Sequence, residues 1–319
     1  MTAPRVAVVI PAFRRETRLA FALAALAEQT LNPREFEVLV VRAPGEEGPF
    51  AAAPDGLRVR FLVAPVRGPA AQRNHGWRAA AARMVAFTDD DCRPAPHWLE
   101  ALLAAATGAD ADAVVQGRTE PDPDEAHLLT GLARSMRVEA LDPWHPACNI
   151  AYPRALLDRL GGFDEAFPAS WAEDTELALR ATAVGARHLY APEALVWHAV
   201  LPRALPQALR DAGRRQWVPA LVARHPGHRR ALFCRWFVNE SHAALALGLF
   251  GLVAGGRRRA AVALLPYLAL QVPRDADRRI VRPRRLVRLA LAVLERLAVD
   301  LVEVGSALRG AAESRALVV

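Results

Sequence analysis

Residues 84–91 read Met84-Val85-Ala86-Phe87-Thr88-Asp89-Asp90-Asp91, a short apolar run that ends in three consecutive carboxylates. A run of this length, apolar on both faces, predicts a strand in a sheet covered on both sides. Ligands of such sheets bind beyond the carboxyl ends of the strands, which is where the aspartates fall. Adjacent carboxylates repel one another, and at the end of a buried strand their cost stays high unless a cation neutralises them. Mg2+ or Mn2+ fits that need, because it binds through one or two carboxylates together with substrate phosphates. In an extended segment Asp89 and Asp91 point one way and Asp90 the other, which makes Asp91 the expected direct metal ligand, with Asp89 towards the metal waters or a ribose. The alternative is an acidic turn or helix cap facing solvent.

Outward from this strand, strand-like and helix-like stretches alternate: strands at 6–10, 37–41 and 59–63, and helices at about 18–29 and 69–82. This is the spacing of βαβ units, so the expected fold is α/β, with a mostly parallel, Rossmann-like sheet covered by helices. Downstream come a helix around 98–106, a strand at 113–117 and a Pro/Asp-rich loop over 120–125. A helix begun by Pro153 and stopped by Gly161-Gly162 follows. A helix over 173–184 and a last strand at 195–198 complete a domain expected to span residues 1–200, and residues 201–319 form a helical extension.

The two parts differ in charge. Residues 1–200 carry 20 Arg against 26 Asp and Glu, net −6, whereas residues 201–319 carry 21 Arg against 8, net +13; lysine is absent. A basic tail of this kind is suited to phosphate, as membrane headgroups, a lipid-linked phosphate or nucleic acid, although a solvated basic face is the plainer alternative. Two apolar stretches, 243–254 and 260–272, flank the turn Gly255-Gly256-Arg257-Arg258-Arg259. Each is shorter than the ~20 residues that span a bilayer, and Pro266 interrupts the second, so a buried or interfacial hairpin is expected. Three widely spaced cysteines, Cys92, Cys148 and Cys234, argue against a disulfide framework or a zinc knuckle and suit a reducing cytosol. The first apolar run is too short for a signal peptide. A cytoplasmic location follows, with peripheral contact on the inner face of the cell membrane, or a homo-oligomer interface, as the uses of the tail.

Further motifs occur in order: Val9-Ile10-Pro11-Ala12-Phe13-Arg14, Arg73-Asn74-His75-Gly76, the aspartate triad, Asn149 followed by Pro153-Arg154, Gly161-Gly162-Phe163-Asp164-Glu165, and Glu173-Asp174-Thr175-Glu176-Leu177-Ala178-Leu179-Arg180. Together they resemble the family-2 glycosyltransferases of GT-A fold, in a bacterial form with a C-terminal helical extension, from Val6 to about His198. The resemblance implies an inverting, metal-dependent, hexosyl-type transferase. It places Pro11, Ala12, Phe13, Arg14, Arg73, Asn74, Asp89 and Asp90 on a nucleotide-sugar donor, and Asn149 and Trp171 on the acceptor side. It gives Asp91, Asp89 and His198 to the metal, Mn2+ or Mg2+, and makes Asp174, beside Glu173, the general base. An aspartate with an acidic neighbour suits base work, since like charge and partial burial raise its pKa towards working pH.

Two departures from the family pattern stand out. The acid that usually follows the second strand and reads the nucleotide base is replaced by Arg42-Ala43-Pro44-Gly45-Glu46-Glu47, which leaves Glu46 or Glu47 as substitutes. The Gln-x-x-Arg-Trp pattern of processive synthases is missing, so transfer of one sugar is expected, to a sugar, lipid-linked or small-molecule acceptor. Nucleic acid is not an expected partner. Two other functions share this layout: a nucleotidyltransferase, which usually carries a Gly-rich phosphate loop near its start, and a catalytically silent glycan-binding or scaffold protein.

Overall fold

The computed structural model describes residues 3–46, 52–108, 112–129, 131–167, 171–271 and 283–319. Glu47 and Val272, the end of the second apolar stretch, lie outside them. The described residues fall into two compact units, one of residues up to 129 together with Arg134–Leu201, the other of residues up to 133 in the intervening loop and Pro202–Val319.

In the first unit the strands are β1 (Val6–Ala12), β2 (Phe36–Arg42), β3 (Val59–Val63), β4 (Met84–Thr88), β5 (Cys92–Pro94), β6 (Val114–Pro121), β7 (Asn149–Pro153) and β8 (His188–His198). They form one sheet in the order β3-β2-β1-β4-β7-β6-β8-β5. The helices are α1 (Glu16–Ala27), α2 (Pro69–Ala79), α3 (Trp98–Ala106), α4 (Arg154–Leu160) and α5 (Glu173–Ala183). Side chains alternate across each strand, so Val6, Val8 and Ile10 pack with Leu19, Leu23 and Leu102 on one face. Ala7 and Val9 pack with Trp77, Leu157 and Leu177 on the other. Complete burial on both faces explains why β1, β2 and β4 read as unbroken apolar runs.

The sheet is mostly parallel, as expected, with antiparallel insertions that the sequence did not announce. It is parallel through β3, β2, β1 and β4 and between β6 and β8, but β7 runs antiparallel to β4 and β6, and β5 antiparallel to β8. The physical reason is the connection: β6 reaches β7 through a loop with one short 3-10 turn and no crossover helix, and such a return pairs antiparallel. Strand β8 is longer than the apolar pattern indicated, and Pro153 caps α4 from outside instead of opening its first turn. Gly161, in the left-handed region at φ 77°, ends α4 as its position predicted.

Asn149 fastens the middle of this sheet. It is 1% exposed, and its Oδ1 accepts the Trp98 indole N–H at 2.8 Å, while Nδ2 donates to the Arg118 and Ala194 carbonyls at 2.7 and 2.8 Å. Its amide hydrogens are therefore spent on the core, and an acceptor-side role for this side chain does not fit. The structural role generates a stability prediction. Asn149→Ala should cost about 3 kcal/mol in urea unfolding, because one indole N–H and two carbonyls lose their partner without gaining water; a cost under about 1 kcal/mol would contradict it.

The second unit is helical: α6 (Leu205–Ala212), α7 (Trp217–Arg224), α8 (Glu240–Ala263), α9 (Leu265–Gln271) and α10 (Pro283–Ser314). One apolar cluster is built on Ala208, Ala212 and Val299, and Val218, Leu221, Val222 and Tyr267 are buried as well. Charge is buried beside them: Glu303 meets His242 at 3.1 Å and Arg215 at 3.3 Å, and Asp300 meets Arg296 at 2.8 Å. Two carboxylates are thus balanced by two guanidinium groups.

Candidate active site

Helix α2 brings three consecutive polar residues, Gln72, Arg73 and Asn74, into the interior, each at most 4% exposed. Helical residues step about 100° around the axis, so the three side chains leave in different directions. Gln72 donates to the carbonyls of Ala12 and Val41 at 3.0 and 2.7 Å, tying together the ends of β1 and β2. Arg73 donates to Asp89 Oδ1 at 2.8 Å and to Glu173 Oε1 at 2.9 Å. Asn74 accepts from Trp77 Nε1 and the Phe163 N–H and donates to the Phe163 carbonyl and Glu165. Asn74 is thereby consumed in holding the Gly161-Gly162-Phe163 turn and has no hydrogen left for a donor, contrary to the sequence expectation. Gly162 makes that grip feasible: it sits at φ +80°, and a Cβ there would lie 2.3 Å from Asn74 Oδ1.

The aspartates do not continue the strand. Asp90 and Asp91 lie in a turn between β4 and β5, so the alternation expected of an extended segment fails. Instead Asp90 and Asp91 share one partner that the sequence reading passed over, Arg15, whose Nη1 is 3.1 Å from Asp90 Oδ1 and 2.5 Å from Asp91 Oδ2. Asp90 also accepts the Phe13 N–H at 2.8 Å. Burial and the Asp91 charge push the Asp90 carboxyl up to about 7, against the pull of Arg15. Burial acts on Asp89 in the same sense, but Arg73 outweighs it and leaves that carboxyl below its ordinary value.

His198, at the end of β8, is 1% exposed and points Nε2 at Asp91 Oδ1, 3.8 Å away. Its Nδ1 lies 2.8 Å from the Ala199 carbonyl and carries the proton of that hydrogen bond. Nε2 is thereby the ring nitrogen left to face the carboxylate, and it can act as a ligand beside that oxygen. This donor set fits a divalent cation, and the backbone hydrogen bond on the far nitrogen is the usual support of a ligating histidine. Cys92 lies close enough to join them, but burial raises its thiol well above the usual range and away from the thiolate that binds metals. Asp89, engaged by Arg73, belongs to the network rather than to the Asp91–His198 pair.

Across Arg73 stands the N-terminus of α5. Ala172 precedes it in the left-handed region at φ 74°, a strained conformation for a residue with a Cβ. Asp174 accepts the Thr175 N–H at 2.8 Å and the Ala147 N–H at 3.1 Å. Burial raises the Glu173 carboxyl, and the Asp174 charge adds to it; burial also raises Asp174, against the pull of Arg73 and the two N–H donors. The loop carrying Ala147 brings Trp144 edge-on to Trp171, with ring centroids 5.8 Å apart, and Thr175 Oγ1 donates to the Trp144 carbonyl at 2.6 Å. Trp171, two residues before Glu173 in the chain, is thus packed against Trp144. Its companion Trp144 was not foreseen, since a lone tryptophan between prolines announces no partner.

At the opposite edge Pro11 and Ala12 are buried in β1, while Phe13 is 53% exposed. Arg14, at φ 50°, faces the Glu46 carboxylate at 3.8 Å. Glu46 itself accepts no hydrogen bond among the described residues. Arg42, which stands where the family places an acid, is paired with Glu16.

Compared with known proteins, residues 7–157 match the model of Glycosyl transferase family 2. The matched segment, just under half of the chain, is similar to this family. The match includes Arg73 and the aspartate turn and stops before Glu173, Asp174 and His198, so the family-2 segment supplies one side of the site. Among similar proteins, validoxylamine A glucosyltransferase of Streptomyces hygroscopicus subsp. limoneus is 28% identical over 294 residues, 80% of this chain and 63% of that protein. The chain therefore spans less than two thirds of that relative's length. Pre-mycofactocin glycosyltransferase of Mycobacterium tuberculosis is 31% identical over 172 residues, 50% of this chain and 36% of the relative. In fold, the chain is similar to mannosyltransferase PcManGT from Pyrobaculum calidifontis, solved with GDP-Man and Mn2+, with a TM-score of 0.56, 21% identity and coverage of 95% of this chain and 88% of that one.

The double grip of Arg73 generates a second prediction. Arg73→Met should destabilise the protein by about 3–5 kcal/mol at neutral pH, because it leaves buried carboxylates without their counter-charge. The sign of the pH dependence follows: as pH falls towards about 5, the orphaned carboxyls take up protons and the penalty shrinks. Denaturant unfolding of both proteins across that range checks it, and a penalty that grows at low pH would contradict it.

Proposed function

We propose that this site transfers a single hexosyl unit from a nucleoside diphosphate sugar to an acceptor hydroxyl, with inversion at the anomeric carbon. The observation that carries the proposal is the link from base to acidic turn. One guanidinium, Arg73, holds Glu173 next to Asp174 and also holds Asp89 beside Asp90 and Asp91. A proton acceptor and a site for a charged leaving group are thereby kept in fixed relation, which is the positioning that such a transfer needs. The hexosyl class rests on the glucosyl transfer named for the Streptomyces relative.

Asp174 takes the proton of the acceptor hydroxyl as that oxygen bonds to the anomeric carbon from the face opposite the diphosphate. The bond from carbon to diphosphate oxygen breaks, and its electron pair leaves with the nucleoside diphosphate. Two backbone N–H donors orient Asp174, and its raised pKa brings its basicity closer to that of a useful general base near neutral pH. Glu173 is a positioning residue that acts through Arg73. Arg15 offers a guanidinium to the leaving diphosphate from its place on Asp90 and Asp91. Mn2+ or Mg2+, held by Asp91 and His198, supplies Lewis-acid stabilisation of the diphosphate charge when bound. Phe13, Arg14 and Glu46 form the edge for the nucleoside, and the Trp144–Trp171 pair gives an acceptor ring an apolar face beside Asp174.

Asp174→Asn should keep the Kd for a nucleoside diphosphate sugar within about threefold while transfer falls by about 10²–10⁴, since only proton removal is lost. The acid limb of the wild-type rate profile should lie above the ordinary aspartate value of about 3.9, because the base works ionised and burial holds its proton on to higher pH. Product analysis by mass spectrometry over a panel of donors checks both, and unchanged turnover in the variant would remove Asp174 from this role. A separate outcome is expected for the metal: EDTA should abolish transfer, Mn2+ should restore it, and Asp91→Asn should respond to neither. Full transfer in chelator would overturn the metal assignment and leave the base intact.

A further inference from the structure

The second unit holds an apolar surface that glycosyl transfer does not use. Helix α8 breaks at Gly256, whose φ of 70° and ψ of −165° turn the chain back on itself. The two arms then close tightly: a Cβ on Gly248 would lie 2.3 Å from Leu264, and one on Gly251 would lie 2.8 Å from that of Ala263. A hairpin this close-packed has no room to fold its larger apolar side chains between its arms, so they face outward. Phe250 is 68% exposed, Val253 81%, Val262 67% and Leu265 57%. At the bend, Arg257, Arg258 and Arg259 are exposed as well. An open surface cleft of about 530 Å³ is lined by Phe250, Val262 and Pro266 together with Arg258 and Arg259.

Two features select the partner. Leu249, Phe250, Leu252 and Val253 are all exposed and, at about 100° per residue, share one helix face about 160° wide, a continuous apolar face that acyl chains can cover. A helix is about 10–12 Å across, and one lying in a membrane interface sinks about 5–10 Å, which immerses most of its girth. The three arginines then reach phosphate level while the neighbouring aliphatic groups enter the acyl region. The charge agrees in sign, since residues 201–319 carry 21 Arg against 8 acids. Among the described residues no helix is long and apolar enough to cross a membrane.

We infer that the α8–α9 hairpin docks the protein on the surface of an anionic lipid bilayer, lying in the interface without spanning it. The inference is independent of the proposed glycosyl transfer. Flotation of the full chain with phosphatidylcholine vesicles, with and without phosphatidylglycerol, tests it. Binding should require the anionic lipid and fall as salt screens the arginines. Replacing Arg257, Arg258 and Arg259 with Gln should lower the partition coefficient about a hundredfold, the combined loss expected for three basic groups at a charged surface. Phe250→Ser with Val253→Ser should lower it at least about tenfold. All five side chains are exposed, so circular dichroism and thermal unfolding should be unchanged in both variants. Failure to float with anionic vesicles at low salt would overturn the inference. So would sedimentation as a dimer that Phe250→Ser and Val253→Ser dissociate while vesicles are ignored.

Discussion

The guanidinium of Arg73, held between Asp89 and Glu173, is the contact on which the candidate site depends. Burying three charged groups costs several kcal/mol for each ion, and only mutual attraction at hydrogen-bond distance offsets it. That requirement fixes geometry. Helix α2 has to lie close against the sheet, and Gly76 permits this, because a Cβ there would come within 2.4 Å of Val9. The turn after β4 has to present Asp89 to one side of the guanidinium, and α5 has to begin where Glu173 reaches the other. A segment of α2 with no exposed surface of its own therefore sets the relation between the acidic turn and the base.

Around this fixed centre the backbone carries strain. Arg14, His145 and Ala172 are the described residues of the first unit that adopt positive φ without being glycine. Each flanks a group assigned to the site: Arg14 lies between Phe13 and Arg15, His145 follows Trp144, and Ala172 precedes Glu173. Such conformations cost about 1–3 kcal/mol apiece and persist only where the surroundings over-determine them. Here the surroundings are hydrogen bonds to the carboxylates, from Phe13 N–H to Asp90 and from Ala147 N–H to Asp174.

The two units solve burial differently. In the first, alternating strands feed two apolar layers, and the polar groups they enclose, such as those of the site and Asn149, are held by hydrogen bonds or ion pairs. In the second, helices enclose small and medium apolar side chains, among them Val218, Leu221, Val222 and Val299, together with a balanced ionic cluster around Glu303 and Asp300, while many large apolar side chains of α8 and α9 face outward. A helix whose polar residues are turned in and whose apolar residues are turned out fits an apolar solvent on its far side better than water.

The sequence by itself determined the strands and their sidedness, because complete burial leaves an unbroken apolar run and periodicity reports it; β3, β4 and α3 fall at the residues read from the pattern. It also marked the acidic turn and the Glu173-Asp174 pair, since clustered carboxylates are costly enough to be conspicuous. It could not show how those groups are partnered. Arg15 meeting Asp90 and Asp91, and Trp144 meeting Trp171, join residues far apart in the chain, and no local signal records such a meeting. Nor could it separate Arg73 and Asn74, neighbours of similar polarity. A step of about 100° along α2 sends one side chain to the site and the other to a structural turn. The antiparallel insertion of β7, which decides that Asn149 is enclosed by the core, was likewise settled only when the β6–β7 connection returned without a helix.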